Sequence, residues 1–243
     1  MKKSILKFLA IATLLSTASF GAIVATELSL VIDVSGSISN TEFDLQMDGY
    51  GAAFRNAANQ NLIINGGGIA VNYVFFASTA SAGNNWTLLS NVASINAFAL
   101  TLENVARPGT LGNQTGISAG MNSSRLSFVN NGFEGIRLVM DVSGDGVESV
   151  STDAAVRAQR DAAFASGIII NGLPIGPASL ATYYTNNVIT SNGFSLPVSN
   201  FAGFTSAINQ KLFRELGGEI PEPSTYAMMG LGLMGLAYFR RKR

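Results

Sequence analysis

The chain of 243 residues contains no cysteine and no histidine. Without cysteine, no disulfide framework can form. Without histidine, the Ser-His-Asp and Cys-His nucleophile systems are excluded, and so are the usual zinc sites. Charge is also scarce, at 12% of residues against 47% hydrophobic. That balance excludes a disordered chain and a nucleic-acid binder, which would need a basic face. The few charges are unevenly spread. Seven of the fifteen basic residues lie at the two ends, and all fifteen acids lie between residues 27 and 222. Residues 26–239 hold 8 basic and 15 acidic groups, a net −7 suited to a soluble, cation-binding body.

Both ends read as addresses. Lys2 and Lys3 precede an apolar stretch from Ile5 to Phe20, and small residues follow at Gly21, Ala22 and Ala25. This order predicts a cleaved signal peptide over residues 1–25. At the other end, Pro221-Glu222-Pro223 precedes an apolar run from Tyr226 to Phe239 and the basic cluster Arg240-Arg241-Lys242-Arg243. The run is short against the ~20 residues that cross a bilayer, and its basic end would stay cytoplasmic.

Between the ends, strand and helix patterns alternate. Glu27 to Val34 is nearly continuously apolar, as expected of a strand buried on both faces. Ser39-Asn40-Thr41-Glu42 is a capping box, and Phe43, Met47, Tyr50 and Phe54 follow at helical spacing. Further strands are predicted over Gly68–Ala77, Ile136–Val142 and Ile168–Ile170. Helices are predicted over Val92–Leu102, from Thr115 to about Phe128, over Thr152–Ala165, and through Phe201, Phe204, Ile208 and Leu212. The alternation predicts a doubly wound α/β fold with a mostly parallel sheet, spanning residues 26–218. Ligands of such sheets bind beyond the carboxyl ends of the strands.

Beyond the first strand stands Asp33-Val34-Ser35-Gly36-Ser37. A carboxylate and two hydroxyls alternate on one tight turn, and Gly36 permits unusual backbone angles. Such oxygens suit a hard cation, which takes octahedral oxygen ligands at roughly 2.1 Å. Two other patterns are weaker. Gly116-Ile117-Ser118-Ala119-Gly120 matches the nucleophile elbow of hydrolases but has no histidine base; Lys211 is the only lysine outside the ends. Asp141-x-Ser143-x-Asp145-Gly146 resembles the start of a calcium loop, but its twelfth position is Thr152 and not glutamate. A second cation near Asp141 and Glu148 stays open. Trp86 reads as a packing residue more readily than as an exposed binding aromatic.

The Asp33-x-Ser35-x-Ser37 segment resembles the metal-ion-dependent adhesion site (MIDAS) of von Willebrand factor A domains. That resemblance implies a threonine from a later loop, matched by Thr115 with Thr110 as rival. It also implies an aspartate after a later strand, matched by Asp145 with Asp141 as alternative. Ser35, Ser37 and Thr115 would coordinate directly, while Asp33 and Asp145 would hold metal-bound waters. One position would remain for a partner's carboxylate. Asp141–Gly146, Ile170–Ile175, Tyr183-Tyr184 and Lys211–Leu216 resemble an uncharacterised bacterial subfamily of secreted A-like domains. The C-terminal order resembles the PEP-CTERM sorting signal of Gram-negative bacteria, over residues 219–243. It implies recognition by an exosortase-type protease after signal peptidase has acted, and transient membrane anchoring.

The expectation is a non-enzymatic adhesion module of the cell surface or extracellular matrix, holding Mg²⁺ or Mn²⁺ rather than Ca²⁺. Its partner would be an extracellular protein or matrix component, with no role for nucleic acid. A structural envelope or matrix protein using the domain as scaffold is the alternative, and a serine hydrolase at Ser118 is a remote one.

Overall fold

The computed structural model describes residues 21–82 and 86–218. The apolar run after the first small residues forms β1 (Ala22–Asp33), whose interior alternates between two helix layers. The capping box starts α1 (Asn40–Arg55): the Ser39 hydroxyl accepts the Glu42 N–H and the Glu42 carboxylate accepts the Ser39 N–H. Such a cap is worth about 1 kcal/mol. Phe43, Met47, Tyr50 and Phe54 form its buried stripe. Asn56 ends α1 and caps α2 (Ala57–Asn65).

Next come β2 (Ile69–Phe76), two three-residue strands β3 (Ala80–Ala82) and β4 (Thr87–Leu89), and α3 (Val92–Glu103). After a long loop follow α4 (Ile117–Ser127), β5 (Phe133–Gly144), α5 (Asp153–Ala165) and β6 (Ile168–Pro174). The described chain closes with α6 (Ala178–Asn187), a 3₁₀ turn at Phe201–Gly203, and α7 (Phe204–Glu215).

The sheet order is β3-β2-β1-β5-β6, with β4 also paired to β2. β2, β1, β5 and β6 run parallel, while β3 and β4 pair antiparallel along the outer edge of β2. α1, α2, α3 and α7 cover one face and α4, α5 and α6 the other, so the α/β architecture is doubly wound. Leu28, Leu30 and Ile32 pack toward the first layer, Val31 toward the second. Burying each such side chain contributes about 1.5–3 kcal/mol.

From β1 the chain passes to β2 on one side, and the later strands continue on the other side at β5. The order therefore reverses between β1 and β5, and the loops beyond the carboxyl ends at such a point are where sheets of this kind bind ligands.

The structure departs from the sequence reading in several places. β1 begins at Ala22, not Glu27, and β5 begins at Phe133. The Ala22 N–H donates to Gly132 O and the Ala25 N–H to Gly68 O, both at 2.9 Å. Residues 22–25, placed in the leader by the sequence, are thus paired in the sheet. α2, α6, β3 and β4 were not foreseen. The Pro221-Glu222-Pro223 motif, the run from Tyr226 to Phe239 and the leader up to Phe20 lie outside the described residues. Among the described residues, no helix is long and apolar enough to cross a membrane.

Candidate metal centre

The reversal point positions the site. Asp33 is the last residue of β1, and Asp145 follows the last residue of β5. Between them the turn from Val34 to Ser39 is held from both sides. The Gly36 N–H donates to Asn113 O at 2.8 Å. The Arg107 guanidinium donates to Val34 O and Ser35 O, at 3.0 and 2.9 Å, and to Asn40 Oδ1 at 2.9 Å. Both holding residues belong to the loop between α3 and α4. That loop ends at Thr115, whose hydroxyl donates to Ser35 Oγ at 3.3 Å.

Four oxygen-bearing side chains form a chain of close contacts. Ser35 Oγ lies 3.2 Å from Ser37 Oγ. The Ser37 hydroxyl donates to Asp145 Oδ1 at 2.6 Å. The Ser35 N–H donates to Asp33 Oδ1 at 2.8 Å. Neighbouring ligands of an octahedral ion with bonds of about 2.1 Å stand about 3 Å apart, so the hydroxyl spacings match those edges. Asp33 and Ser35 are fully buried, Thr115 nearly so, while Ser37 is exposed and Asp145 half-buried. The site is thus anchored inside and open outward.

Asp33 is the electrostatic centre. Burial pushes its carboxyl from an ordinary 3.8 up to about 7, opposed by hydrogen bonds from Ser35 and from the Asp145 backbone and reinforced by the charge of Asp145. Burial likewise raises Asp145, with Ser37 acting against it and Glu42 adding to it. Asp33 Oδ2 is buried with no hydrogen-bond partner among the described residues. An uncompensated buried carboxylate is costly, and a cation is the ordinary remedy. The donor set therefore fits a hard divalent ion. It is built from hydroxyls, since no cluster of three or more acidic residues able to hold a metal occurs among the described residues.

The alternative residues lie in different places. Thr115 reaches Ser35, whereas Thr110 is exposed earlier in the same loop. Asp145 joins Ser37, whereas Asp141 lies inside β5, fully buried, with its Oδ1 2.6 Å from Lys211 Nζ. Lys211 also meets Glu215 Oε1 at 2.5 Å. Asn171 Nδ2 donates to that same oxygen at 2.9 Å. Burial and the charge of Asp141 push Glu215 up to about 7, against the pull of Lys211. This triad stands on the α1–α7 face and takes no part in the site.

Glu148, considered for a second cation, is spent on backbone. Its carboxylate accepts the N–H groups of Ser118, Val150 and Ser151 at 2.8 to 3.1 Å. Asp141 and Ser143 are strand residues and Thr152 caps α5, so no calcium loop forms. The Ser118 hydroxyl pairs with Ser151 Oγ at 3.0 Å, and the one lysine of the body is locked in the triad. Trp86 packs edge-on against Phe128 and donates to Ser127 O. Sequence reasoning missed Arg107 and Asn113. A lone arginine in an otherwise uncharged loop was the available signal.

The doubly wound sheet with an oxygen-lined turn at its reversal point has the fold of von Willebrand factor A-type domains. The chain itself belongs to the family described as "Protein of unknown function (DUF1194)", whose model matches residues 23–220. Residues 219–243 match the PEP-CTERM protein-sorting motif, which marks an exported protein, transiently anchored at its C-terminus and displayed at the surface. No curated protein matches the chain.

Among solved structures, proximal thread matrix protein 1 of the mussel byssus superposes with a TM-score of 0.61 at 15% identity, over 83% of this chain and 49% of that one. The same mussel protein has also been solved "with zinc occupied MIDAS motif", matching at 0.54 and 17% identity over 80% of this chain and 46% of that one. The chain thus spans about half the length of the mussel protein. A von Willebrand factor type A protein from Catenulispora acidiphila matches at 0.57 and 14% identity, covering 82% and 44%. An aerotolerance-related membrane protein from Bacteroides fragilis matches at 0.55 and 19%, covering 78% and 99%. At such identities the likeness is one of fold.

Proposed function

We propose that the domain is a divalent-cation-dependent, non-enzymatic binding module of the bacterial surface or extracellular matrix. The observation that carries this reading is the convergence of Ser35, Ser37, Thr115 and Asp145 around the turn that begins at the buried Asp33. Ser35, Ser37 and Thr115 would hold the ion directly, and Asp33 and Asp145 would act on it through bound water. Hydroxyl ligands leave a divalent ion poorly neutralised, so an acidic side chain of a partner is the natural last ligand. A ligand set of oxygens alone suits a hard ion such as Mg²⁺ or Mn²⁺.

The sorting motif supports display where an extracellular protein or matrix component is the available partner. The motif also implies an exosortase-type protease during export. The zinc-occupied site of the mussel matrix protein supports a metal role for this fold. A cleft of about 820 Å³ beside the turn, lined by Gly36, Asn40, Arg107 and Asn113, gives the rest of such a partner room. The acidic body supports no role for nucleic acid.

The test is retention of the protein in its native matrix with Mg²⁺ or with chelator, alongside calorimetric titration of the purified protein with Mg²⁺ and Mn²⁺. Chelator-sensitive retention and saturable metal binding are expected. Retention indifferent to chelator would favour a scaffold role instead.

A further inference from the structure

Tyr184 on α6 is fully buried, and its hydroxyl has no hydrogen-bond partner among the described residues. Burying an unpaired phenol is unfavourable, so its surroundings need an explanation. Two glycines make room for it. A side chain at Gly172, on β6, would meet the Tyr184 ring at 2.8 Å. A side chain at Gly144, the last residue of β5, would meet the Tyr184 hydroxyl at 3.0 Å and Asp33 Oδ2 at 2.7 Å. The ring therefore crosses β6 at one glycine, and its hydroxyl reaches β5 at the next.

The two buried oxygens without partners, Tyr184 Oη and Asp33 Oδ2, close on the same point over Gly144, each within 3.0 Å of where a Cβ there would sit. Strand alternation puts Asp33, Gly144 and Gly172 on the sheet face covered by α4, α5 and α6, so nothing of the α1 layer intervenes. The phenol can donate and the carboxylate oxygen only accepts, so the two are matched neighbours.

We propose that Tyr184 is a positioning residue of the cation site, its hydroxyl facing the Asp33 carboxylate over Gly144 and holding that carboxylate's orientation. The inference rests on the cation reading above. Tyr184 touches no ligand of a partner; it acts on the ion through Asp33. Groups that orient a ligating carboxylate typically change metal affinity 10- to 100-fold when removed.

The experiment compares the wild type with Tyr184→Phe and Tyr50→Phe. Tyr50 is an equally buried tyrosine, but it serves the opposite face, where its hydroxyl donates to Ser143 Oγ at 3.1 Å. Two quantities are measured for each protein: the Mn²⁺ and Mg²⁺ dissociation constants by calorimetry, and the melting temperature with metal and with chelator. Tyr184→Phe is expected to weaken metal binding about tenfold while its metal-free melting temperature stays within a degree or two of wild type or rises. Tyr50→Phe is expected to leave the metal constants unchanged.

Equal metal affinity in Tyr184→Phe and wild type overturns the inference. So does a drop in melting temperature of the same size with and without metal, which marks a packing role alone. Absence of metal binding by the wild type overturns the cation reading itself and this inference with it.

Discussion

Asp33→Asn separates the cost of the buried carboxylate from the benefit of the ion it would meet. Asp33 is fully buried, with one oxygen taking the Ser35 N–H and the other unpartnered. Its rise from 3.8 to about 7 corresponds to about 4 kcal/mol between the two protonation states. The sign follows from proton uptake. Between the two values the folded chain holds a proton that the unfolded chain has released, so metal-free stability falls as pH rises from about 4 to about 7. At pH 8 the metal-free wild type bears the whole cost, and a near-isosteric amide escapes most of it. About 1 kcal/mol is returned where the amide N–H₂ replaces an oxygen in a site shaped for an acceptor.

The metal-free Asp33→Asn protein should therefore be about 2–3 kcal/mol more stable at pH 8, or about 5–10 °C in melting temperature for a body of this size. Mg²⁺ at a hundredfold excess over its dissociation constant stabilises the wild type by about 2.7 kcal/mol and should leave the variant unmoved. Scanning calorimetry at pH 5 and pH 8, with Mg²⁺ and with chelator, reads all these quantities. At pH 5, where a smaller part of the cost has set in, the metal-free difference should shrink to below about 1 kcal/mol. A variant that melts below the wild type at pH 8 without metal would show that the protein alone satisfies the carboxylate.

Thr115→Ala should weaken Mg²⁺ binding at least tenfold with little loss of fold, whereas Thr110→Ala should change nothing; metal titrations of both decide between the two threonines. Glu215 is raised to about 7 from an ordinary 4.5, so its contribution to stability should fall as pH rises through that window and stay flat above it. Glu215→Gln should make the slope in denaturant midpoints measured from pH 4 to 9 shallower, leaving the share of Asp33, and a slope unchanged in the variant would assign all of it to Asp33 or another group. Because Ala22 to Ala25 are paired in β1, the mature protein should begin at Ala22, after Gly21, and not after Ala25; amino-terminal sequencing of exported protein decides this.

Much of the architecture was legible because the local signals agreed with the final packing. The Ser39–Glu42 box and the stripe Phe43, Met47, Tyr50, Phe54 mark α1 without help from the rest of the chain. β1 and β6 declare themselves by apolar runs. α2 does not, because only Asn59 and Ile63 of its nine residues are buried and its start is an asparagine shared with the end of α1. α6 begins after Pro177 with no side-chain cap, so its sequence carries no starting mark. β3 and β4 are three residues each and exist only because the outer edge of β2 needs partners.

The site was legible to the extent that it is local. Asp33, Ser35 and Ser37 lie on one turn, and spacing alone draws them together. The choice between Asp141 and Asp145 was not local. Both sit in one Asp-Val-Ser-Gly-Asp stretch, and strand periodicity alone allows either to serve. What draws Asp141 away is Lys211, seventy positions later on α7, which meets it on the sheet face opposite the Asp33 side chain. The same logic hid Tyr184. Its role follows from two glycines on two strands and an unpartnered oxygen on a third, and no window of sequence contains all of them. A turn can gather ligands by itself, but the groups that orient those ligands come from wherever the sheet leaves room, and only the three-dimensional register of β1, β5 and β6 identifies them.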